Sequence, residues 1–437
     1  MKVRLISHAS VIIEAEDCTI WTDPWLFGKA FMNAWSLLPK AYWEDHFYNE
    51  IDFVWVSHEH PDHFNFPTLK AMPADFKARV PLLFQKSNSN KMPEAFSKLG
   101  FKNITLLPHR KIVSITPKTK VHCCQIGPTP DSSLAVINDH YTILNLNDCE
   151  ANAQDCKLFV KDLGKVNLLL NQFSIAGYRG HYDYATHLRK KANIILENMV
   201  ENHKDINADV TIPFASFVYF SDSDNKYVNK YANTVMDVKT IFDRHHLKTA
   251  ILYPGDVFDS EKEFDSDPAI EKYAKMYQSL DELEYRQPPV FELDELKKAF
   301  TGRSKQLREK YPDWLLKKLK PIIIKISDLH ESVRVSLYNG TFEKVSTGDF
   351  DLIMGSEAFH YAFANTWGIG TIGVGAKYLV KNKWNVWKWY KIFATLNNAQ
   401  FYLKTKYLFT KNNLNFILSR MEGGFNQLAY KWKRMDI

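Results

Sequence analysis

One ten-residue stretch constrains this chain more than any other, the sequence Val-Trp-Val-Ser-His-Glu-His-Pro-Asp-His at residues 54–63. It places three histidines and two acids within six residues, directly after the apolar run Phe53–Val56. A buried strand over this run would bring the cluster to the strand's carboxyl end, where the chain must leave the sheet and turn. A single histidine there would indicate an exposed polar loop, whereas the HxHxDH spacing predicts side chains that converge.

The residue types in this turn predict a metal site. His58 and His60 share a face of the turn, and Asp62 and His63 lie one step further round. Imidazole and carboxylate ligands at this short spacing suit a borderline divalent cation, zinc first, with iron or manganese as alternatives. Asp62 is also predicted to act in catalysis, by accepting or relaying a proton.

Several stretches, in this order along the chain, carry a resemblance to a protein family. They are Thr22–Pro39, Ser57–Lys70, Leu144–Cys149 and Pro213–Tyr227, of which the first two are specific. Together they resemble the metallo-β-lactamase-fold superfamily. Within it they are most similar to the metallo-β-lactamase-fold part of the CMP-N-acetylneuraminate hydroxylase family and its bacterial relatives. The resemblance covers about the first 260 residues and implies an α/β fold, the four-layer αββα sandwich.

The resemblance also implies roles for two aspartates that follow strand-like runs. Asp148 comes after Thr142–Leu146, at the place of the aspartate that bridges two metal ions in the superfamily. Asp23 comes after Thr19–Thr22 and matches the aspartate that supports the ligands from behind. The alternative for both residues is an ordinary turn-forming aspartate.

The chain departs from the family at two ligand positions. Thr129 stands where the relative has a histidine, and Asp222 stands where the last histidine ligand is expected. Asp222 can bind a cation, whereas threonine is a poor zinc ligand. His122, His140 and His181 are candidate substitutes. The sequence therefore leaves open whether one ion or two bind, and whether the site is active.

A glycine-broken loop supplies candidate substrate contacts. Tyr178, Arg179 and His181 are predicted to anchor a small anionic or sugar-like substrate, because arginine suits two-point contact with carboxylate or phosphate. The leading hypothesis is a metal-dependent hydrolase acting on a phosphorylated, nucleotide-linked or lipid-linked sugar-like substrate. One alternative is an iron-dependent sugar-modifying oxygenase that works with a separate reductase. Another is a membrane- or lipid-binding protein with a vestigial metal site.

The five cysteines include no CxxC pair, which argues against a disulfide framework and favours a reducing compartment. Animal members of the resembled family carry a Rieske iron–sulfur centre, which needs two cysteines and two histidines in paired motifs. The sequence has no such pair. An oxygenase of this kind would therefore take its electrons from another protein.

The length of 437 residues predicts more than one domain. We expect a metal-binding domain over 1–260, a charged helical connector over 261–320 and an α+β domain over 321–437. The last part weakly resembles a sterol-carrier-protein-2-type module. The sequence has neither a signal-peptide pattern nor an apolar run of about 20 residues, so a cytoplasmic protein is expected.

The carboxyl-terminal tail is basic and aromatic. From residue 377 onward it carries twelve lysines and arginines against two acids, interleaved with tryptophan, tyrosine and phenylalanine. Such a surface can lie on an anionic membrane, which would make the protein peripheral to a membrane. The alternative is a final helical pair whose aromatic residues belong to the core. Nucleic acid is not an expected partner.

Overall fold

The computed structural model describes residues 1–87, 89–126, 131–397, 400–410, 413–414 and 417. The chain forms two compact units. The first unit contains residues 1–176, 188–220 and 229–284, and the second contains residues 177–187, 221–228 and the described residues from 285 onward. Across the described ranges, no helix has the length and apolar character needed to cross a membrane.

The secondary structure alternates between strands and helices along most of the chain. The strands are β1 Lys2–Ser7, β2 Ser10–Glu14, β3 Thr19–Thr22, β4 Trp35–Leu37, β5 Phe53–Val56, β6 Leu82–Gln85, β7 Ile104–Leu107, β8 Lys111–Ser114, β9 Lys120–Ile126, β10 Asp131–Ile137, β11 Thr142–Asn147, β12 Leu168–Gln172, β13 Val210–Phe214, β14 Val218–Phe220, β15 Val257–Asp259, β16 Ile322–Ile326, β17 Glu331–Val335, β18 Phe342–Val345, β19 Leu352–Met354 and β20 Tyr378–Val380. The α-helices are α1 Phe47–Glu50, α2 Phe66–Ala71, α3 Ala74–Arg79, α4 Lys91–Leu99, α5 Ala153–Leu163, α6 Tyr184–Ile206, α7 Val235–Arg244, α8 Asp267–Gln278, α9 Leu293–Lys310, α10 Asp313–Lys317, α11 Ser356–Ala364, α12 Gly368–Val374 and α13 Lys383–Tyr390. Short 3-10 and π-helical turns cover Lys226–Tyr231, Leu280–Glu282, Lys391–Asn397 and Thr405–Tyr407.

Two mixed sheets build the first unit. The larger sheet has the strand order β15-β1-β2-β3-β5-β6-β7, and β3, β5, β6 and β7 run parallel. The smaller sheet has the order β13-β12-β11-β10-β9-β8, and β11, β12 and β13 run parallel. The parallel strands of a sheet end at one edge, so the loops that leave those ends can share a site.

The two sheets face each other across a common core. Successive side chains of a strand point to opposite faces, and the central strand β5 is apolar on both. Trp55 of β5 and Ile143 of β11 belong to one buried cluster that draws on both sheets. Val54 and Val56, on either side of Trp55 in the sequence, belong to a different cluster on the outer face of the larger sheet.

Helices cover the outer faces of both sheets. Phe76 of α3 and Phe96 of α4 pack in the cluster on the outer face of the larger sheet. Phe159 of α5 packs with Leu144 on the outer face of the smaller sheet. The layers therefore run helix, sheet, sheet, helix, which confirms the predicted four-layer αββα sandwich.

The second unit is a smaller α+β domain, also as predicted. Its five-stranded sheet has the order β18-β17-β16-β19-β20, with only the β16–β19 pair parallel. Aromatic side chains join its helices, and the rings of Phe300 on α9 and Phe363 on α11 lie 5.0 Å apart. The division into units differs from the predicted domain limits, because residues 261–284 belong to the first unit and residues 177–187 and 221–228 belong to the second.

The basic tail is described in part. On α13, Trp389 is buried whereas Trp384 is 76% exposed and Trp387 is 49% exposed. This helix therefore combines the core packing and the exposed aromatic surface that the sequence left as alternatives. Most residues after 410 lie outside the described ranges, and membrane contact stays a prediction.

Candidate metal centre

Polar side chains converge where several strands of the first unit end. The loop from Ser57 to His63 follows β5, Asp23 follows the neighbouring β3, and Asp148 follows β11 of the other sheet. His8 occupies the tight turn between β1 and β2. These side chains are brought together by strand order, because they come from four separate parts of the sequence.

The backbone of the histidine-rich loop is held by hydrogen bonds at Ser57. Its amide and its hydroxyl donate to the two oxygens of Asp23 at 2.7 and 2.8 Å. Its carbonyl oxygen accepts from the Ser132 hydroxyl at 2.6 Å and from the Gln85 amide at 3.1 Å. The loop is therefore fixed to β3, β6 and β10 before any ligand binds.

His58, His60 and Asp148 form a first potential ligand group, whose ligand atoms all lie within 4.8 Å of one another. His58 Nε2 is 2.8 Å from His60 Nδ1 and 3.8 Å from Asp148 Oδ2. Two atoms that are each about 2 Å from one ion can be no more than about 4 Å apart, and both distances meet this limit. The Ser57 hydroxyl lies 3.0 Å from His58 Nδ1, which leaves Nε2 directed at the group.

His8, Asp62 and His63 form a second group, and all three are buried. Asp62 Oδ2 lies 3.3 Å from His8 Nε2 and 3.3 Å from His63 Nε2. His63 Nδ1 contacts Asp23 at 2.9 Å, an arrangement that fixes the ring and directs Nε2 at the site. Asp148 Oδ2 is also 3.5 Å from His63 Nε2, so Asp148 lies between the two groups.

Unpartnered buried atoms make this cluster a candidate cation site. Among the described residues, His8 Nδ1 and Nε2, Asp62 Oδ1, His63 Nε2 and Asp148 Oδ1 make no hydrogen bond. Buried polar groups are ordinarily satisfied, and several together in one place call for a bound ion or water. Imidazole nitrogens and carboxylate oxygens are donors that a divalent transition metal prefers. The residues therefore fit the divalent metal that the predicted fold implies.

The protonation of the cluster agrees with this fit. Burial, followed by the charge on His63, holds the pKa of His58 well below its usual value, so its ring is in the neutral form that binds metals. Burial works against a charged His63, but Asp148 and Asp62 outweigh it and raise the pKa of His63 well above its usual value. Burial and then Asp148 raise the pKa of Asp131 to about 8. The acidic side chains thus stabilise positive charge in the cluster, and a divalent ion would supply such charge.

Most of the predicted ligands come together in these two groups. The motif residues His58, His60, Asp62 and His63 join Asp148, and Asp23 supports His63 and Ser57 from behind. Two further side chains belong to the cluster. His8, which lies in the turn between β1 and β2, is a member of the second group. Asp131, which follows the Thr-Pro that replaces the family's histidine, was not predicted.

Asp222 does not join either group. It lies in the second unit, where Arg286 Nε and Nη2 donate to its two oxygens at 2.7 Å and the Lys377 ammonium also contacts it. Both of its oxygens are thus occupied by cationic side chains, which differs from the predicted ligand role. His122 lies 3.3 Å from Asp162 and is absent from both ligand groups of the described residues. Thr129 lies outside the residues that the structure describes.

The three predicted substrate contacts lie in the second unit and have partners there. The Tyr178 hydroxyl accepts from the His181 amide at 2.9 Å and donates to the His181 carbonyl at 3.1 Å. The His181 ring stacks on His187 with 3.6 Å between centroids. Arg179 lies 5.4 Å from the centroid of the Tyr390 ring. Their role toward a substrate stays a prediction.

Comparison with protein families places the first unit in a class. Residues 2–204 match the family described as Beta-lactamase superfamily domain. This match confirms the resemblance to the superfamily that was found in the sequence, and it agrees with the four-layer fold.

Among curated proteins, the chain is similar to the cytidine monophosphate-N-acetylneuraminic acid hydroxylase of Asterias rubens. The two are 26% identical over 289 residues, which are 61% of this chain and 43% of that protein. The hydroxylase of Mus musculus is 24% identical over 251 residues, 54% of this chain and 42% of that protein. The chain thus spans less than half the length of these relatives.

Among solved structures, the chain resembles an isothiocyanate hydrolase from Delia radicum gut bacteria. That likeness has a TM-score of 0.44 and 16% identity, and covers 59% of this chain and 98% of the other. It also resembles CmlA, a diiron β-hydroxylase from Streptomyces venezuelae, with a TM-score of 0.42 and 14% identity over 59% of this chain and 53% of the other.

Proposed function

We propose that the first unit is the catalytic domain of a two-metal hydrolase. The observation that supports this most strongly is the pair of ligand groups joined by Asp148, with unpartnered nitrogen and oxygen atoms directed into them. When bound, divalent ions supply Lewis acidity and make hydroxide available at neutral pH. His58 and His60 would hold one ion and His8 and His63 the other.

Asp62 has two roles in this proposal, as a member of the second ligand group and as the group that orients the attacking water. Oδ2 faces His8 and His63, whereas Oδ1 has no hydrogen-bond partner among the described residues. Burial opposes its ionisation, but His63 outweighs burial and keeps the pKa of Asp62 well below its usual value, so the carboxylate is charged at neutral pH. Oδ1 can therefore accept a hydrogen bond from the attacking water and orient it. The water oxygen bonds to phosphorus or a carbonyl carbon, the ester bond breaks, and the proton passes to the leaving oxygen.

The substrate class is an anionic, sugar-like small molecule, within which a nucleotide-linked sugar is favoured. Support comes from the similar hydroxylases, which are named for cytidine monophosphate-N-acetylneuraminic acid. Phosphorylated and lipid-linked sugars belong to the same class, because their ester groups carry the oxygens that a divalent ion polarises.

The test is turnover of a phosphodiester and a nucleotide-sugar panel by the full chain, loaded in turn with zinc, manganese and iron. The double variant His58→Ala plus His60→Ala should lose both bound metal and turnover. His46→Ala is the matched control, because His46 is an exposed histidine of the same unit. Turnover by the double variant equal to that of the wild type would overturn the proposal.

A second candidate function is hydroxylation of a sugar by an iron-loaded centre. It is favoured by the similar hydroxylases, which align over 54% to 61% of this chain. One oxygen atom of O₂ would enter the substrate and the other would leave as water, with two electrons supplied by a separate reductase. Oxygen consumption coupled to hydroxylated product, with anaerobically loaded iron and a chemical reductant, would separate this function from hydrolysis.

A further inference from the structure

We propose that Asp131 is a metal ligand of the first group, where it takes the place of the histidine that the resembled family has at Thr129. This inference rests on the proposed metal centre and adds a specific ligand to it. The histidine-pair ion would then be held by two imidazoles and two carboxylates, His58, His60, Asp131 and Asp148.

The distance between Asp131 and His58 suits two ligands of one ion. Its Oδ1 lies 3.7 Å from His58 Nε2, close to the 3.8 Å that separates the same nitrogen from Asp148 Oδ2. Both distances are within the limit of about 4 Å for two ligands of one ion. The side chain of Asp131 is 29% exposed, compared with 3% for His58, so it lies at the open side of the group.

The backbone around Asp131 is tied to the ligand loop. Asp131 is the first residue of β10 and pairs with Ile126 of β9. The next residue, Ser132, donates its hydroxyl to the carbonyl oxygen of Ser57 at 2.6 Å, and Ser57 directly precedes His58. One short hydrogen bond therefore joins the residue beside Asp131 to the residue beside His58. This arrangement fixes the separation of the two proposed ligands.

Acidic side chains also crowd around Asp131. Asp23, Asp62, Asp131 and Asp148 gather in one place, and within the described part of the chain the ion-pair contacts of all four are to histidine rings. Carboxylates this close repel one another, and divalent ions bound among them would compensate that repulsion.

A carboxylate in place of a histidine changes the metal preference of the centre. Each group would then offer two nitrogens together with carboxylate oxygens, with Asp148 shared. Carboxylate oxygen is a hard ligand. An additional carboxylate therefore shifts the metal preference of the centre from metals that favour softer ligands toward iron or manganese. We therefore expect the wild type to retain manganese or iron better, relative to zinc, than a variant with a histidine at position 131.

The experiment measures metal content and affinity in the full chain, by elemental analysis and calorimetry, for the wild type, Asp131→Asn and Asp131→His. We expect about two manganese ions per wild-type chain and about one in Asp131→Asn. The affinity for the lost ion should fall by more than about 100-fold, the upper end for loss of an outer contact. Asp131→His should regain the second ion and favour zinc. Asp139→Asn, an exposed acid beyond the other end of β10, is the control and should match the wild type.

The outcomes separate this inference from the proposed function. Two ions bound to Asp131→Asn with wild-type affinity would overturn the role of Asp131 and leave the metal centre intact. A wild type that binds no divalent metal would overturn both. The electron paramagnetic resonance spectrum of bound manganese provides a second readout, because loss of one of two coupled ions changes a coupled spectrum into that of an isolated ion.

Discussion

Among the described residues, each unit contains a cluster of charged side chains that are buried or partly buried. The two clusters differ in whether their nitrogen and oxygen atoms have hydrogen-bond partners. In the first unit, carboxylates contact histidines, and several buried nitrogen and oxygen atoms have no hydrogen-bond partner among the described residues. In the second unit, Asp222, Asp224 and Glu357 contact Arg286 and Lys377 at hydrogen-bond distance. Buried charge is therefore common to both clusters, and only the first combines it with unpartnered atoms that converge, which is the reason for proposing a metal centre there.

The same contrast appears in the chemistry of the partners. The hydrogen bonds that Arg286 donates to Asp222 and then to Glu357 raise the pKa of its guanidinium, which is permanently charged and neutralises these acids without any ligand. A histidine becomes charged only by taking up a proton, and it releases that proton to solvent when its nitrogen binds a metal. Asp222 is thus neutralised by protein, whereas in the proposed centre Asp62 and Asp148 would be neutralised by bound ions.

The largest effect should come from the ligand pair of the first unit. His58→Ala plus His60→Ala removes two nitrogen donors of one group, and we expect loss of that group's ion and of turnover. Elemental analysis and an activity assay check this, with His46→Ala as the exposed-histidine control. Retention of the full metal content would show that the unpartnered atoms do not mark the ion site, which breaks the comparison.

A large effect on stability alone is expected in the second unit. Lys377→Met leaves the buried Asp222 and the nearby Asp224 without one cation, and breaking such a pair costs about 3–5 kcal/mol. The free energy of unfolding from urea denaturation checks this, while metal content should not change. Lys381→Met removes an exposed pair with Asp349 and serves as the control, whose free energy of unfolding should stay close to that of the wild type.

A smaller effect is expected for Asp23→Asn, which sharpens the distinction between a ligand and its support. Asp23 orients His63 and anchors Ser57, and loss of such a supporting contact lowers metal affinity by about 10–100-fold. Calorimetric titration of the metal-free protein checks this. Asp52→Asn is the control, because Asp52 accepts a hydrogen bond from the Thr19 amide at the opposite end of β3. A loss as large as that of the ligand-pair variant would contradict a purely supporting role.

The smallest effect should come from a partly exposed surface pair. Arg110 donates to Asp162 at 2.6 and 2.7 Å, and this hydrogen bonding lowers the pKa of Asp162 below its usual value. A lowered folded-state pKa gives stability above the unfolded pKa of about 3.9, and that stability is lost as pH falls. Arg110→Met should therefore cost less than about 1 kcal/mol near neutral pH, and the cost should shrink in urea titrations below about pH 4.

Local spacing was enough to predict the histidine-rich part of the centre, because His58, His60, Asp62 and His63 lie within one turn. The roles of Asp23 and Asp148, and the four-layer architecture, came from the family resemblance. Both aspartates follow strands whose apolar pattern is visible in the sequence.

The remaining features depend on distant parts of the chain. His8 reaches Asp62 only because β1 and β5 belong to one sheet. Asp222 was predicted as a ligand from its position in the sequence. Its partners in the structure, Arg286 and Lys377, are 64 and 155 residues away in the sequence, and no local pattern predicts these contacts. Strand order and long-range ion pairs thus determine which acids contact the histidine rings of the proposed metal centre and which contact a cationic side chain.

The central claim is that the unpartnered cluster of the first unit is a metal centre, and the metal content of the purified full chain tests it most directly. Anaerobic purification followed by loading with zinc, manganese or iron and removal of excess ion should leave about two divalent ions per chain with the preferred metal. A protein that retains none of the three metals under these conditions would contradict the account.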